Sequence, residues 1–248
     1  MRYFLEIAFD GTDFHGWQRQ PNAISVQEVL EEALALVCKV GQGIVGAGRT
    51  DAGVHAQQIF AHVDADIDLV DPIWADKLNN FLPPSVVIRS IRAAKPEAHA
   101  RFDATGRTYK YYISLGKNPF NTRFSHQLHR SPDVDLMNRA ASKLLGTQDF
   151  QCFSRSKTDV KTYICTVTEA TWTLNDNELV FTIAADRFLR NMVRAVVGTL
   201  LEVGYGKREL ESIAGLIESK NRSEAGASAP AKGLFLHNVT YSDDLFEI

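Results

Sequence analysis

The order of strand and helix patterns in the first hundred residues constrains the fold more than any other feature. Apolar residues alternate over 2–9, as in a strand, and recur at helical spacing behind the capping box Ser25-Val-Gln-Glu28. The predicted elements are strands at 2–9, 44–45, 57–64 and 86–93, and helices at 26–38 and 72–82. Their order is β-α-β-β-α-β, which is that of a ferredoxin-like unit.

The rest of the chain repeats this order with insertions. Its predicted elements are strands at 107–114, 161–173, 178–185 and 234–241, and helices at 133–145, 188–203 and 208–218. The segment 221–231 is rich in small residues, which predicts a mobile loop. We therefore expect an α+β protein of two ferredoxin-like halves, residues 1–103 and 104–248, with a hinge around 94–106.

Composition excludes several classes of protein. The chain has 248 residues, 45% of them apolar, so a sizeable core forms without disulfides. Its three cysteines lie far apart in no zinc-binding pattern, and the pair His126 and His129 has no third ligand beside it, so no metal site is predicted. No apolar run reaches membrane-spanning length and the N-terminus does not resemble a signal peptide. We expect a cytoplasmic protein without a membrane segment.

The charge is unevenly distributed along the chain. The net charge is −3, yet residues 101–194 carry 14 Lys and Arg against 9 Asp and Glu. Such clustering is the footprint expected for binding to a phosphate backbone, with chance clustering on a solvated surface as the alternative. The loop after the first strand also holds Phe14 and Trp17 close to Arg19. These aromatics either stack on RNA bases or fold back as a lid on the core.

A glycine-rich run between two predicted strands is the main candidate for a functional loop. The run Ile44-Val-Gly-Ala-Gly-Arg-Thr-Asp-Ala-Gly-Val-His55 places Arg49 and Asp51 among three glycines. Loops held by a rigid scaffold commonly display catalytic side chains, although Asp51 could also be an ordinary turn residue. Nucleotide-binding patterns do not fit, because no Gly-Lys-Ser/Thr follows and the glycines open onto a strand rather than a helix.

The string Gly48-Arg-Thr-Asp-Ala-Gly-Val-His55 resembles the catalytic loop of the tRNA pseudouridine synthase A family. Five further segments look like blocks of that family in the same order, so the resemblance covers nearly the whole chain: Asp10–Gln20, Ala100–Ala104, Arg107–Tyr109, Phe188–Arg194 and Gly233–Leu236. The resemblance implies the pseudouridine synthase fold, in which two ferredoxin-like (βαββαβ) halves form a central antiparallel sheet with a basic cleft between them.

The resemblance also implies an activity. It implies an isomerase that converts uridine to pseudouridine at positions 38–40 of the tRNA anticodon stem-loop after base flipping, without a cofactor or metal. Asp51 is the implied nucleophile and Arg190 its cationic partner. Tyr109 is implied to pack against the flipped base, and Leu234 or the nearby Leu236 to supply an apolar wall.

Other residues are implied to handle the tRNA. Arg49 is implied to help evert the target base, and His55 is expected to buttress the loop rather than to shuttle protons. The remaining implied tRNA contacts are basic or aromatic: His99, Arg101, Phe102, Arg107, Arg155 and Lys157. The family precedent implies a homodimer that binds one tRNA with both subunits.

Several alternatives stay open at this stage. Tyr109 could be a core tyrosine, and Arg190 a surface helix residue, although its neighbours Phe188 and Leu189 favour a partly buried place. The chain could be an RNA-binding protein of this fold without catalysis, or a synthase of this family that acts on another RNA or a wider set of uridines. The step that Asp51 performs is also open: attack on ribose C1′, attack on uracil C6, or proton removal at C2′.

Overall fold

The structure is a computed structural model that describes residues 1–155 and 160–246. Its contacts divide the chain into two compact units. The first unit is Met1–Thr105 together with the segment that begins at Phe235, and the second is Gly106–Leu234. This division differs from the expected halves in the last segment, because Phe235 and Leu236 pair in register with His55 and Ala56 of the first unit.

The first unit contains the predicted β-α-β-β-α-β order. Its elements in chain order are β1 Arg2–Phe9, α1 Val26–Val37, β2 Val45–Gly46, β3 His55–Asp64, α2 Pro72–Phe81 and β4 Val86–Ala94. Strand β1 lies between β3 and β4, and β2 also pairs with β3, all antiparallel. The caps form as predicted: the Ser25 hydroxyl accepts from the Glu28 amide, and the Asp71 carboxylate accepts from the Ile73 amide.

Strand β1 is buried on both faces, whereas its alternating sequence predicts one dominant apolar face. Leu5 and Ile7 are fully buried on one face, and Phe4 is fully buried on the other. The ring of Phe4 makes edge-to-face contacts with Tyr241 and Phe246. The C-terminal segment therefore covers the second face of this strand, a contact between residues too distant in sequence for periodicity to predict.

The second unit contains mostly antiparallel strands packed with helices. Its elements are β5 Gly106–Leu115, β6 His126–Leu128, α3 Val134–Ala141, β7 Gly146–Asp149, β8 Ile164–Asn175, β9 Glu178–Ala185, α4 Met192–Gly204 and α5 Ser212–Ser219. Strand β9 pairs with β5 and β8, and β8 with β7, all antiparallel, while β6 lies parallel to β5. The predicted α+β class with mostly antiparallel strands is confirmed. Strands β6 and β7 were not predicted, because they are short and show no apolar alternation.

Three helix boundaries in this unit differ from the prediction, and one is that of α5, which is expected from residue 208 and begins at Ser212. The helix expected at 188–203 begins at Met192, because Asn191 has a left-handed backbone with a φ of 65°. The helix expected at 133–145 ends as α-helix at Ala141 and continues as a 3-10 turn over Ser142–Leu144. Strand β10, Leu234–Thr240, follows as predicted. No helix among the described residues is long and apolar enough to cross a bilayer.

The segment 221–231, expected to be mobile, is instead bound to α4. The Gly226 amide donates to the buried Thr199 hydroxyl at 2.9 Å, and the Ala229 amide donates to the Arg194 carbonyl at 2.9 Å. A Cβ built on Gly198 would lie 1.8 Å from the Ala227 carbonyl oxygen. The small residues thus serve close packing of backbone on helix rather than mobility.

This close approach predicts opposite effects of two alanine substitutions in helices of the same unit. Gly198→Ala should lower the free energy of unfolding by about 1–3 kcal/mol or more, because the backbone must move to admit the methyl group. Gly215→Ala in α5 is the control, since a Cβ there meets no atom within 4 Å. It should raise the free energy of unfolding by up to about 1 kcal/mol through helix propensity. Urea unfolding measures both, and equal stability of the Gly198→Ala variant and the wild type would contradict the packing.

Candidate active site

The glycine-rich loop lies between β2 and β3, as the sequence predicts. At its start the Ala47 amide donates to the Phe60 carbonyl at 2.7 Å, and at its end the Val54 amide donates to the Asp51 carbonyl at 3.2 Å. Asp51 is half-buried and Arg49 is exposed. The loop is thus closed by backbone hydrogen bonds at both ends and displays its charged side chains between them.

The loop that follows β1 packs directly against this glycine-rich loop. Gly16 has a φ of +92°, and a Cβ on it would lie 2.4 Å from the Thr50 carbonyl oxygen. The Gly53 amide donates to the Phe14 carbonyl at 3.3 Å, and Phe14 and Trp17 are only 6% and 2% exposed. Of the two alternatives for these aromatics, the structure therefore shows the fold-back onto the core and not a free stacking surface.

His55 is fully buried at the base of the same loop. Its Nδ1 lies 3.0 Å from the Gly11 amide, which donates to it, and 3.1 Å from the Asp10 carboxylate. Its ring stacks on Phe235 with centroids 4.4 Å apart. A buried ring held by a backbone amide, a carboxylate and a stacked phenyl ring is placed to support the loop, as expected from the sequence.

Tyr109 lies on β5 of the second unit and is half-buried rather than a core residue. It pairs with Ile183 of β9, and its ring makes an edge-to-face contact with Phe188 at 5.0 Å. It is thus less enclosed than Tyr111, the fully buried tyrosine two residues further along the strand. The ring packs edge-on against Phe188 and retains accessible surface, which suits contact with a planar ligand.

Arg190 lies in a turn before α4 and is exposed, so the expectation of a partly buried helical position is wrong. The neighbouring Leu189 is buried and anchors the turn. Next to Arg190, the amide group of Asn191 donates to the Ser228 hydroxyl at 2.6 Å, and the Arg155 amide donates to the Arg190 carbonyl at 3.0 Å. The backbone of the turn is held on both sides, while the side chain of Arg190 is exposed at the surface.

The other predicted contact residues of the second unit occupy varied positions. Arg107 is half-buried and donates to the Asp186 carbonyl at 2.9 Å, so part of its hydrogen-bonding capacity is used by the protein. Leu234 is buried and Arg155 is exposed. Lys157 lies outside the described residues.

Three of the predicted tRNA contacts, His99, Arg101 and Phe102, lie in the first unit, in the segment 98–103. Phe102 and Arg101 are exposed, and His99 is half-buried. Below them, the buried His62 accepts from the Ala100 amide through Nδ1 at 3.0 Å. Burial, with a further contribution from the Arg2 charge, lowers the pKa of His62 to about 4. The imidazole therefore stays neutral and remains an acceptor at neutral pH.

The described residues offer little support for a reactive cysteine or for a bound metal ion. All three cysteines are buried, and burial raises the pKa of both Cys152 and Cys165 to about 12, far from thiolate formation. No group of three or more His, Cys, Asp or Glu side chains in the described part of the chain has metal-binding geometry.

Sequence reasoning missed three supporting residues of these sites. Gly16 and Asn191 lie within segments that resemble the family, yet their left-handed backbone follows from tertiary contacts rather than from a local pattern. Ser228 carries no signal in the sequence. The fold and these residues together define a mixed α+β protein with a carboxylate and an arginine on a glycine-rich loop, the arrangement that the sequence relates to RNA-modifying isomerases.

Comparisons with known proteins identify the family. A family model described as tRNA pseudouridine synthase matches residues 140–242. A relative from Bacteroides thetaiotaomicron named tRNA pseudouridine synthase A is 52% identical, over 99% of this chain and 92% of that protein. Relatives of the same name from Bacteroides fragilis and Porphyromonas gingivalis are 52% and 47% identical, over 99% of this chain and 98% and 99% of theirs. The chain belongs to the tRNA pseudouridine synthase A family, a family of isomerases.

The pKa of His62 predicts a pH-dependent stability. A histidine whose folded pKa lies below its ordinary 6.5 contributes stability that is complete above about pH 6.5 and is lost as the pH falls towards 4. The loss from this group approaches about 3 kcal/mol. His62→Asn keeps an acceptor near the Nδ1 position but does not titrate, so its free energy of unfolding should fall less between pH 7 and pH 4.5. Urea titrations at both pH values compare the two proteins, and parallel losses would contradict the assignment.

Proposed function

We propose that this protein isomerises uridine to pseudouridine at positions 38–40 of the tRNA anticodon stem-loop. Membership of the family supports a tRNA substrate, and the eight residues Gly48–His55 support the resemblance to its catalytic loop. The observation that carries the proposal is the display of half-buried Asp51 and exposed Arg49 on a loop closed by backbone hydrogen bonds.

Asp51 is the proposed nucleophile. The N-glycosidic bond of uridine breaks, the uracil turns, and C5 forms the new bond to ribose C1′. The hydrogen of C5 leaves as a proton, N1 takes up a proton, and the bond that Asp51 makes to the substrate breaks again, which regenerates the carboxylate. The reaction is an isomerisation, so it needs neither an oxidant nor a cofactor. An ionised carboxylate is required, and a nearby cation favours ionisation of a carboxyl group. Arg190 is the proposed second catalytic group and supplies positive charge in this step.

Base flipping is the proposed route by which the uridine reaches these groups. A stacked base hides its reacting atoms, and its extrusion costs a few kcal/mol. Tyr109, whose ring packs edge-on against Phe188, is proposed to contact the extruded uracil, where stacking contributes about 1–3 kcal/mol. Leu234 is proposed to supply apolar surface for the base, and Arg49 to occupy the place that the base leaves.

The proposed tRNA contacts outside the reacting base are His99, Arg101, Phe102, Arg107, Arg155 and Lys157. The excess of basic residues over 101–194 supports them, since Lys and Arg neutralise phosphates and release counterions. A homodimer and a cytoplasmic location are part of the proposal and follow from the family precedent and from the location of tRNA.

A synthase with a different RNA or a wider set of uridines is the competing proposal. Site choice depends on surface shape and not on the catalytic loop, so the two proposals share Asp51. Sequencing of pseudouridines in RNA from cells with and without this protein separates them. Loss confined to tRNA positions 38–40 supports the first proposal, and loss at other sites supports the second.

Substitution of the proposed nucleophile gives the first test of the chemistry. Asp51→Asn keeps the size of the side chain and removes its charge, so turnover should fall by on the order of 10³-fold or more. The measurement is release of tritium to water from tRNA labelled at uracil C5, in the presence of chelator. Asp66→Asn, an exposed aspartate that follows β3, is the control and should release tritium like the wild type.

The tritium assay also tests the reaction class. Deamination, methyl hydrolysis or binding alone leaves the C5 hydrogen in place. Wild-type turnover by folded Asp51→Asn protein would overturn the role of Asp51, and no release by the wild type on cognate tRNA would overturn the activity.

The proposed role of Arg49 predicts a defect that depends on RNA structure. Arg49→Ala should slow turnover on an intact anticodon stem-loop roughly 10- to 100-fold, because eversion of a stacked base is no longer assisted. The same variant should be much less impaired on an unstructured oligonucleotide of the same loop sequence. Arg89→Ala, an exposed arginine of β4 in the same unit, is the control. Equal defects on both substrates would refute a role in flipping.

A further inference from the structure

An exposed phenyl ring stands on the segment 98–103, which we call the 98–103 loop. Phe102 is 74% exposed, although an apolar ring of this size is usually covered. It lies on the ring of His99, with centroids 4.2 Å apart and planes inclined by 32°. The Arg101 guanidinium carbon lies 5.8 Å from the centre of the same ring. An exposed aromatic beside a cation is the composition of a surface that stacks nucleobases.

The 98–103 loop is fixed from below by side chains of distant elements. Arg2 of β1 donates to the Ala98 carbonyl at 2.8 Å. The Tyr241 hydroxyl donates to the Ala100 carbonyl at 2.6 Å, and His62 of β3 accepts from the Ala100 amide at 3.0 Å. The position of the loop is thus set by three anchors, of which His62 is buried and neutral.

The loop is also fixed from within. The Asp103 carboxylate accepts from the His99 amide at 2.7 Å. The Nδ1 of His99 accepts from the Arg101 and Phe102 amides at 3.1 and 3.3 Å. The ring of His99 is therefore held in place beneath Phe102. A ring that is ordered before binding loses little conformational entropy when a ligand stacks on it.

The 98–103 loop lies close to β2, the strand that leads into the glycine-rich loop. His99 and His62 are in ring contact at 4.8 Å, and His62 pairs with Val45 across β2 and β3. Val45 precedes Arg49 by four residues, so the chain between them spans at most roughly 14 Å. A stem-loop RNA whose target base reaches Arg49 is long enough for another of its nucleotides to reach Phe102.

We propose that Phe102, supported by His99, is a stacking platform for one tRNA nucleobase other than the target uracil. The proposal rests on the proposed function and adds the mode and position of one contact to it. The ligand is the face of a base rather than a phosphate, because the exposed group is a ring. Every base has such a face, so the platform tolerates sequence variation among substrate tRNAs.

The test measures binding in the Asp51→Asn background, so that the RNA is not converted. Phe102→Ala should weaken affinity for the anticodon stem-loop by roughly 5- to 150-fold, the range for loss of one base–aromatic stack. Phe102→Leu should be as defective, whereas Phe102→Trp and Phe102→Tyr should bind like the parent. The slope of affinity against salt should stay unchanged in all four, because no phosphate contact is removed. Phe120→Ala is the matched control, an 88% exposed phenylalanine of the other unit.

A fluorescent base locates the contact. Stem-loops carry 2-aminopurine at one position at a time beside the target uridine, and stacking quenches its emission. One position should be quenched by the parent protein and by Phe102→Tyr, and not by Phe102→Ala or Phe102→Leu. Thermal unfolding of each variant verifies that the fold is retained.

Three results would overturn the platform: unchanged affinity of Phe102→Ala, full affinity of Phe102→Leu, or a sedimentation change that shows Phe102 in contact with a second copy of the chain. Failure of the proposed function is separately visible. If wild-type protein releases no tritium from C5 while Phe102→Ala still weakens binding, the activity fails and the platform stands. If tritium is released and Phe102→Ala binds normally, the platform fails alone.

Discussion

The close contact between the loop after β1 and the glycine-rich loop is the constraint on which the rest of the first unit depends. The two backbones approach so closely that a Cβ on Gly16 would lie 2.4 Å from the Thr50 carbonyl, and one on Gly11 would lie 1.9 Å from the Val54 carbonyl. No side chain fits at either point. Trp17 and His55 fill the space around this contact and are nearly or completely buried. The proposed nucleophile thus stands on a loop whose backbone is fixed by steric exclusion as well as by hydrogen bonds.

In the second unit, the backbone of the turn that carries Arg190 is fixed in a different way. The turn that carries Arg190 has a buried leucine on one side and a left-handed asparagine on the other. A left-handed backbone costs free energy for any residue but glycine, and asparagine tolerates it better than most. The side chain of Asn191 offsets part of that cost by its hydrogen bond to Ser228, which itself belongs to the segment bound to α4. The helix, the small-residue segment and the turn therefore hold one another in place.

Sequence alone predicts the parts of this protein that depend on local patterns. Strand β1, helix α1 and the loop that carries Asp51 follow from alternation, a capping box and glycine spacing. The strands β6 and β7 do not, because their few polar residues pair only when a neighbouring strand is present. The late start of α4 and the packed state of 221–231 depend on contacts between residues far apart in the chain, such as that between Asn191 and Ser228, which lie 37 residues apart. The exposure of Arg190 does not follow from the sequence, because two apolar neighbours do not determine the direction of a side chain in a turn.

Exposed side chains on fixed backbones suit the proposed action on a large RNA substrate. Arg49, Arg190 and Phe102 are each exposed, and each lies within two residues of a group that the fold holds by burial or by hydrogen bonds. On the proposed function, these groups lose their hydration only when RNA covers them, and the contact of each group with RNA strengthens in the drier environment that results. Since the backbones are already ordered, binding restricts side-chain rotamers alone, which limits the entropic cost of assembling the site on tRNA.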